Sequence, residues 1–546
     1  MHIIVPMSGI GNRFIEAGYS MPKPLIEVEG KPIIEHVVHL FPNESKFTFI
    51  CNSKHLNETN MRAILNRICP SATIIEIPNH KKGPVFAVSQ IFNLIDEEEE
   101  VIVNYCDFNT YWDYHDFLTH TRNRGADGAI PSYKGFHPHM LGSTNYAFIK
   151  DEKQWMIKIK EKEPFTNNRM QEYASNGTYY FKKGALVKKY FNELLLSDQN
   201  INGEFYVSLV YNLLVRDGFK VSVYEIQHML QWGTPNDLEE YNRWSNYFLK
   251  IINKKEHLFY ENSIALTPLA GFGSRFSKVG YSKPKPLLDI SGKPMIVQAA
   301  DSIPHCDEYR FICLKKHLTD YPLEYELTRN YSNSTIISID DVTEGQAITC
   351  NLGLFEDDLN KKLFVGATDN GMLFDEDKLS DLIQDSTTDA IIFTFKNHIS
   401  AKNNPKMYGW VKTSKNQALY VSVKSPISES PEDDHAIVGT FYFKQASLFK
   451  EGLNQLITKD IRVNNEFYVD SLMNELILLG YNVKVFEISD YICWGTPDDY
   501  ETFIYWQSYF HKSSNHPYRL ENDSTVDVSK IDQLDLLYNT FTQENK

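Results

Sequence analysis

Two glycines, an arginine and a lysine near the start of the chain have the types and spacing to hold a string of phosphates. Gly9-Ile-Gly11 follows directly on an apolar run, Arg13 stands two residues further on, and Pro22-Lys23-Pro24-Leu25 comes next. Glycine lets backbone N–H groups approach an anion closely, and a guanidinium and an ammonium beside them stabilise charge that shifts between phosphates. The string is not a dinucleotide fingerprint, because Phe14 stands where a third small residue belongs, and it is not a Walker A loop. A turn glycine and a surface arginine would explain a single copy equally well. The string recurs, however, as Gly271-Phe-Gly273, Arg275 and Pro284-Lys285-Pro-Leu287, 262 positions later throughout. Asp107 closes the β-like run that starts at Val101, and Asp369 stands at the same offset. An aspartate at a strand end holds a divalent cation or caps the next turn.

The doubled string resembles the Gly-x-Gly-x-Arg…Pro-Lys-Pro signature of the sugar-phosphate nucleotidyltransferase family, and the resemblance covers nearly all of both copies. It implies that Arg13, Lys23, Arg275 and Lys285 are catalytic cations, and that Gly9, Gly11, Gly271 and Gly273 cradle the triphosphate. Gly83, Gly345 and Gln346 then lie near the nucleobase, and Asp107 and Asp369 hold Mg²⁺. Lys162 in Glu161-Lys-Glu-Pro164 is similar to the family's acceptor-phosphate lysine; copy two keeps Lys424 but has Val423 in place of Glu161. Gly177, Glu204, Gly439 and Glu466 are the other acceptor-side positions implied. The family's second metal aspartate is replaced by Gln231 and Cys493, with Glu225 and Glu487 as candidates to compensate. No general base is required, because an acceptor phosphate is already anionic near neutral pH; His137 and His139 receive no catalytic role, and contact with a polar acceptor or plain surface exposure are both open for them. Copy one is similar to capsule-pathway cytidylyltransferases, which favours CTP there and a bifunctional enzyme making precursors of surface polysaccharide.

Positioning these residues requires strands that deliver them to one edge of a sheet. Runs at Ile3 to Pro6, Phe47 to Cys51, Thr73 to Ile77 and Val101 to Tyr105 alternate with helix-length segments, and copy two repeats the order. The pattern reads as βαβ units. The expected fold is therefore α/β: two copies of a Rossmann-like, GT-A-like domain, each with a mostly parallel central sheet. The copies fall at about 1–250 and 262–510, with a polar tail over 511–546 that composition reads as loosely ordered.

Length and composition agree with two domains, since single cores stop growing near roughly 250 to 300 residues and this chain has 546. A formal net charge of −16 argues against nucleic acid as a partner. No apolar stretch approaches the roughly 20 residues of a membrane span, and the first residues carry no signal-peptide pattern, so a cytoplasmic protein is expected. Seven cysteines without a Cys-x-x-Cys pair indicate neither a disulfide framework nor a zinc site. Two alternatives stay open: one active copy beside a binding or scaffolding copy, and a glycosyltransferase of the GT-A type, whose usual Asp-x-Asp is missing at both Asp107 and Asp369.

Overall fold

The computed structural model describes residues 1–271 and 273–539, which divide into two units. Among the described residues, unit one is Met1–Phe248 with Tyr505–Pro517, and unit two is Leu249–Ile504 with 518–539.

In unit one the strands that the sequence marks come first. His2–Met7 lies between Phe47–Asn52 and Val101–Asn104, with Thr73–Ile77 outside, all parallel, and Ile3 faces both Phe47 and Ile102 in register. The inner three are largely apolar runs because both faces of the sheet are covered there. Ile4, Val101 and Val103 join Val85, Val88, Tyr179 and Val210 in one buried cluster.

Past Val101–Asn104 the direction changes. Thr178–Phe181 runs antiparallel to it and to Gly128–Tyr133, Val221–Glu225 is parallel to Gly128–Tyr133, and the hairpin Ala147–Glu152/Trp155–Glu161 adds antiparallel pairs together with Tyr173–Ser175. The sheet is mixed, with more antiparallel than parallel pairings among the described residues, which corrects the expectation of a mostly parallel sheet. Hydrophobic runs mark strands but not their direction, and the runs that stood out belong to the parallel part. The hairpin turns through Lys153 and Gln154, both at positive φ (51° and 60°), a geometry usually flagged by Asn-Gly or Asp-Gly.

Unit two repeats this order. Ser334–Ile339, His305–Leu314, Phe259–Leu269 and Lys362–Val365 are parallel; His435–Phe443 then runs antiparallel to Lys362–Val365 and to Ala390–Phe395. Gly409–Ser414 and Gln417–Val423 form the equivalent hairpin. Its sheet is mixed as well. The stretch that composition reads as loose carries a helix at Ile531–Asn539 and is tied to the rest of unit two, Gln298 Nε2 donating to Thr525 O at 2.7 Å.

A small two-stranded ribbon in each unit matters most for the site. Phe108–Tyr111 pairs antiparallel with His228–Gln231, Phe108 opposite Gln231; Asn370–Leu373 pairs with Asp490–Cys493, Asn370 opposite Cys493. The ribbon brings the Trp-Gly-Thr-Pro segment of each copy beside its strand-end aspartate.

Candidate active site

The glycine loop leaves the carboxyl end of His2–Met7. Gly11 is left-handed (φ 77°) and caps the short Asn12–Glu16 helix, and a Cβ on Gly9 would meet nothing within 4 Å, so the loop surface there is open. Lys23 starts a 3-10 turn set by Pro22 and Pro24, and its Cβ lies 3.7 Å from where a side chain on Gly11 would begin. Copy two has the same arrangement, with Gly271 open and Gly273 (φ 61°) against Lys285. Arg13 and Arg275 are exposed and form no ion pair among the described residues. The field of Arg13 reaches Lys23, Asp237 and Tyr206. Uncompensated cations over an open glycine loop are what a phosphate chain requires.

Asp107 is held by its backbone, Trp232 N donating to Asp107 O at 3.0 Å, and its carboxylate pairs with Lys23 Nζ at 2.7 Å. Burial works against the Lys23 ammonium, but Asp107 outweighs it and the pKa lies above the ordinary lysine value. In copy two Trp494 N donates to Asp369 O at 2.8 Å, and Lys285 pairs with Asp369 while also donating to Gly495 O at 3.1 Å. The Gln231 amide is adjacent: a Cβ on Gly233 would lie 2.8 Å from Gln231 Nε2 and 3.1 Å from Asp107 Oδ2. Two carboxylates that sequence reasoning missed complete the group. Asp237 accepts from Thr234 Oγ1 at 2.5 Å; burial raises its pKa to about 6, with Glu240 and Asp107 adding to the rise and Thr234 and Arg13 opposing it. Asp499 accepts from Thr496 Oγ1 at 2.6 Å and from the Cys493 thiol at 3.4 Å. The signal was present as Thr-Pro-x-Asp at the constant offset. Glu225 instead accepts from Tyr173 Oη at 2.6 Å, and Glu487 is exposed.

No group of three or more His, Cys, Asp and Glu that could hold a metal occurs among the described residues. Mg²⁺ does not need one, since it is commonly held by one or two carboxylates plus substrate phosphates and water. Asp107 and Asp237, which lies in its field, are oxygen donors that fit that chemistry, whereas the Gln231 amide turns its nitrogen toward Gly233. Copy two offers Asp369 and Asp499 with a thiol between them, and burial followed by those two carboxylates keeps Cys493 protonated. A neutral thiol is a poor partner for a hard cation.

Of the residues expected on the acceptor side, the lysine and the glutamate meet on one tyrosine in both copies. Lys162 is left-handed (φ 60°), donates its backbone N–H to Tyr146 O at 2.8 Å, and extends Nζ to Tyr206 Oη at 2.6 Å; Tyr206 Oη in turn donates to Glu204. Lys424 (φ 55°) reaches Tyr468 Oη at 2.6 Å, and Tyr468 donates to Glu466 at 2.6 Å. A non-glycine residue at positive φ costs energy and recurs where a side chain must be aimed. Glu161 accepts from Ser208 Oγ at 2.6 Å, and burial pushes its pKa up to about 7 against that bond and Lys162. Gly177 (φ 102°) receives Tyr105 N on its carbonyl, and a Cβ there would lie 3.0 Å from the Phe108 ring; Gly439 (φ 93°) is its counterpart. His137 is buried and His139 partly buried. Both pack on Tyr133, and burial lowers the His137 pKa to about 3.

Residues 3–205 match the family model of nucleotidyl transferases. The match lies within the first copy of the repeat. Over 227 residues it is 22% identical to the bifunctional protein GlmU of Staphylococcus epidermidis, covering 41% of this chain and 47% of that protein. The chain thus spans about half the length of the curated relatives it matches. Among solved structures it is similar to a nucleoside-diphosphate-sugar pyrophosphorylase from Vibrio cholerae, with 22% identity, a TM-score of 0.38 and coverage of 44% of this chain and 99% of that one. It is also similar to an inositol-1-phosphate CTP transferase from T. maritima, with 14% identity, a TM-score of 0.34 and coverage of 43% and 90%.

The remaining expected position within the matched residues is Gly83. Its φ is 78°, and a Cβ would meet the backbone N and O of Phe205 at 2.8 Å each, because Phe205 N donates to Lys82 O and Val85 N to Phe205 O. Gly345 (φ 123°) has the same contact with Phe467. Packing alone accounts for both glycines. Gln346 opens the Gln346–Asn351 helix half-buried and makes no side-chain hydrogen bond to a described residue, so its amide is available to a ligand.

Proposed function

We propose that each domain transfers the nucleotidyl group of an NTP to a phosphorylated small molecule and releases pyrophosphate. An oxygen of the acceptor phosphate forms a bond to the α-phosphorus while the bond from that phosphorus to the oxygen bridging to the β-phosphate breaks. The electron pair leaves with pyrophosphate, and no proton need be removed from the attacking oxygen. Arg13 and Lys23, or Arg275 and Lys285, are assigned to the charge that develops on the departing phosphates. Gly9 and Gly11, with Gly271 and Gly273, give the triphosphate a close approach; Lys162 and Lys424 meet the acceptor's phosphate. Asp107 and Asp369 would hold Mg²⁺, which supplies charge neutralisation and alignment of the triphosphate. CTP is the favoured donor for the first domain, and activated precursors of capsule or surface polysaccharide are the favoured products.

The observation that carries this proposal is the recurrence of one geometry, glycine loop, free arginine, Lys–Asp pair and left-handed lysine on a tyrosine, at both ends of a constant offset. A second reading, with one active and one binding domain, is favoured by Cys493 alone. Pyrophosphate release should be followed with four NTPs and a panel of phosphorylated acceptors in the full chain, comparing Asp107→Ala with Asp369→Ala. Loss of a different substrate pair in each variant is the expected result. If Asp369→Ala removes nothing, the second domain serves binding or structure.

A further inference from the structure

Three differences between the copies lie in one place around the acceptor-side lysine, and each is explained by the others. In the first domain Glu161 ends the strand Trp155–Glu161, stands opposite Ala147 in register, and takes a hydrogen bond from Ser208 in the first turn of the Val207–Arg216 helix. In the second domain the strand position is Val423, opposite Gly409, and the helix position is Asp470, in the first turn of Val469–Leu478. The carboxylate has moved from strand to helix. Gly409 makes room for the move: a Cβ on it would lie 2.8 Å from Asp470 Oδ2, so the alanine of the first domain would crowd the carboxylate. Both carboxylates sit in the field of the same lysine, Lys162 in one copy and Lys424 in the other.

The transposition changes what the carboxylate can do. Glu161 has one oxygen committed to Ser208, whereas Asp470 has no hydrogen bond from a described residue and keeps its acceptor capacity. The residue is half-buried. Burial raises the Asp470 pKa to about 7, with Lys424 opposing the rise, and an ionised group in such a place calls for donors. Because Lys424 beside it suits a phosphate, the same small molecule would present a phosphate to the lysine and a neutral donor to the aspartate.

We propose that Asp470 is the acceptor-selecting residue of the second domain, replacing from the helix the carboxylate that Glu161 supplies from the strand, and that it binds a hydroxyl of a phosphorylated polyhydroxy acceptor. This rests on the nucleotidyl-transfer function proposed above. The test uses the full chain carrying Asp107→Ala, so that turnover reports the second domain. Asp470→Ser should raise KM for the acceptor by about tenfold or more, the loss of a hydrogen bond to a charged group, with kcat held within about threefold. Adding Gly409→Ala and Val423→Glu, which rebuilds the arrangement of the first domain, should recover most of that loss. An acceptor KM unchanged by Asp470→Ser, or a fall in kcat alone, overturns the assignment. Calorimetry with Mg-NTP keeps the two levels apart: variants that bind nucleotide normally with an unchanged acceptor KM sink the role of Asp470, whereas absent nucleotide binding before Asp470 is altered sinks the parent function and the inference with it.

Discussion

Lys23 occupies the carboxylate that the proposed metal would need. With the Nζ–Oδ2 distance at 2.7 Å and burial opposing the Lys23 charge, each group supplies the other's counter-ion, so Asp107 would be open to a cation only if the ammonium turned elsewhere. Lysine and metal would therefore compete until a triphosphate gave the lysine somewhere else to go. Lys23→Ala is expected to bind Mn²⁺ about tenfold more tightly without nucleotide, as read by electron paramagnetic resonance titration, while its pyrophosphate release falls by roughly 10²–10³-fold. Equal Mn²⁺ affinity in both proteins would count against competition at Asp107. At this scale the sequence revealed those residues that sit in short strings repeated at a fixed spacing. Asp470 lay outside any string, and its meaning depends on Gly409 and Val423, which are far from it in sequence and adjacent only once a strand pair and a helix are in place. Asp237 was hidden for a simpler reason, since a Thr-Pro-x-Asp segment also reads as an ordinary helix start.

Between elements, the glycines separate into two kinds that the sequence could not tell apart. Gly9 faces open space, whereas Gly83 is locked against the Phe205 backbone in a left-handed conformation. Gly83→Ala should destabilise the first domain by ~1–3 kcal/mol. Gly9→Ala should leave stability within about 0.5 kcal/mol yet lower turnover, because its added methyl enters the space assigned to phosphate. Urea denaturation paired with pyrophosphate release distinguishes them, and a stability loss at Gly9 would remove it from the ligand-facing set. Element positions were legible where apolar runs are strong: Phe47 to Cys51 and Thr73 to Ile77 fall within or on the strands Phe47–Asn52 and Thr73–Ile77. Direction was not, because pairing such as Thr178–Phe181 against Val101–Asn104 joins segments far apart in the chain, and Lys153-Gln154 disguises a tight turn.

The whole chain is a tandem of two such domains, and the first is not assembled from its own end of the sequence alone. Tyr505–Pro517 belongs to unit one. Tyr505 Oη donates to Met229 O at 2.8 Å and its ring stands 4.8 Å from His228, while Phe510 lies 5.5 Å from Tyr241 and 5.4 Å from Phe248. Phe510 is fully buried, so Phe510→Ala should cost about 3–5 kcal/mol. That loss should appear as faster heat inactivation of the activity that Asp107→Ala abolishes; inactivation confined to the activity that Asp369→Ala abolishes would contradict the assignment of this segment.

The same segment sets a timetable for biosynthesis. A domain encoded first normally closes while the ribosome is still making the next one. Here the aromatic surface of Tyr241 and Phe248 waits for Phe510, which emerges only after nearly all of the second domain has been translated. At ~5–20 residues per second the nascent chain carries that unfinished surface for tens of seconds, so the domain begun first cannot close until almost the whole chain has been made.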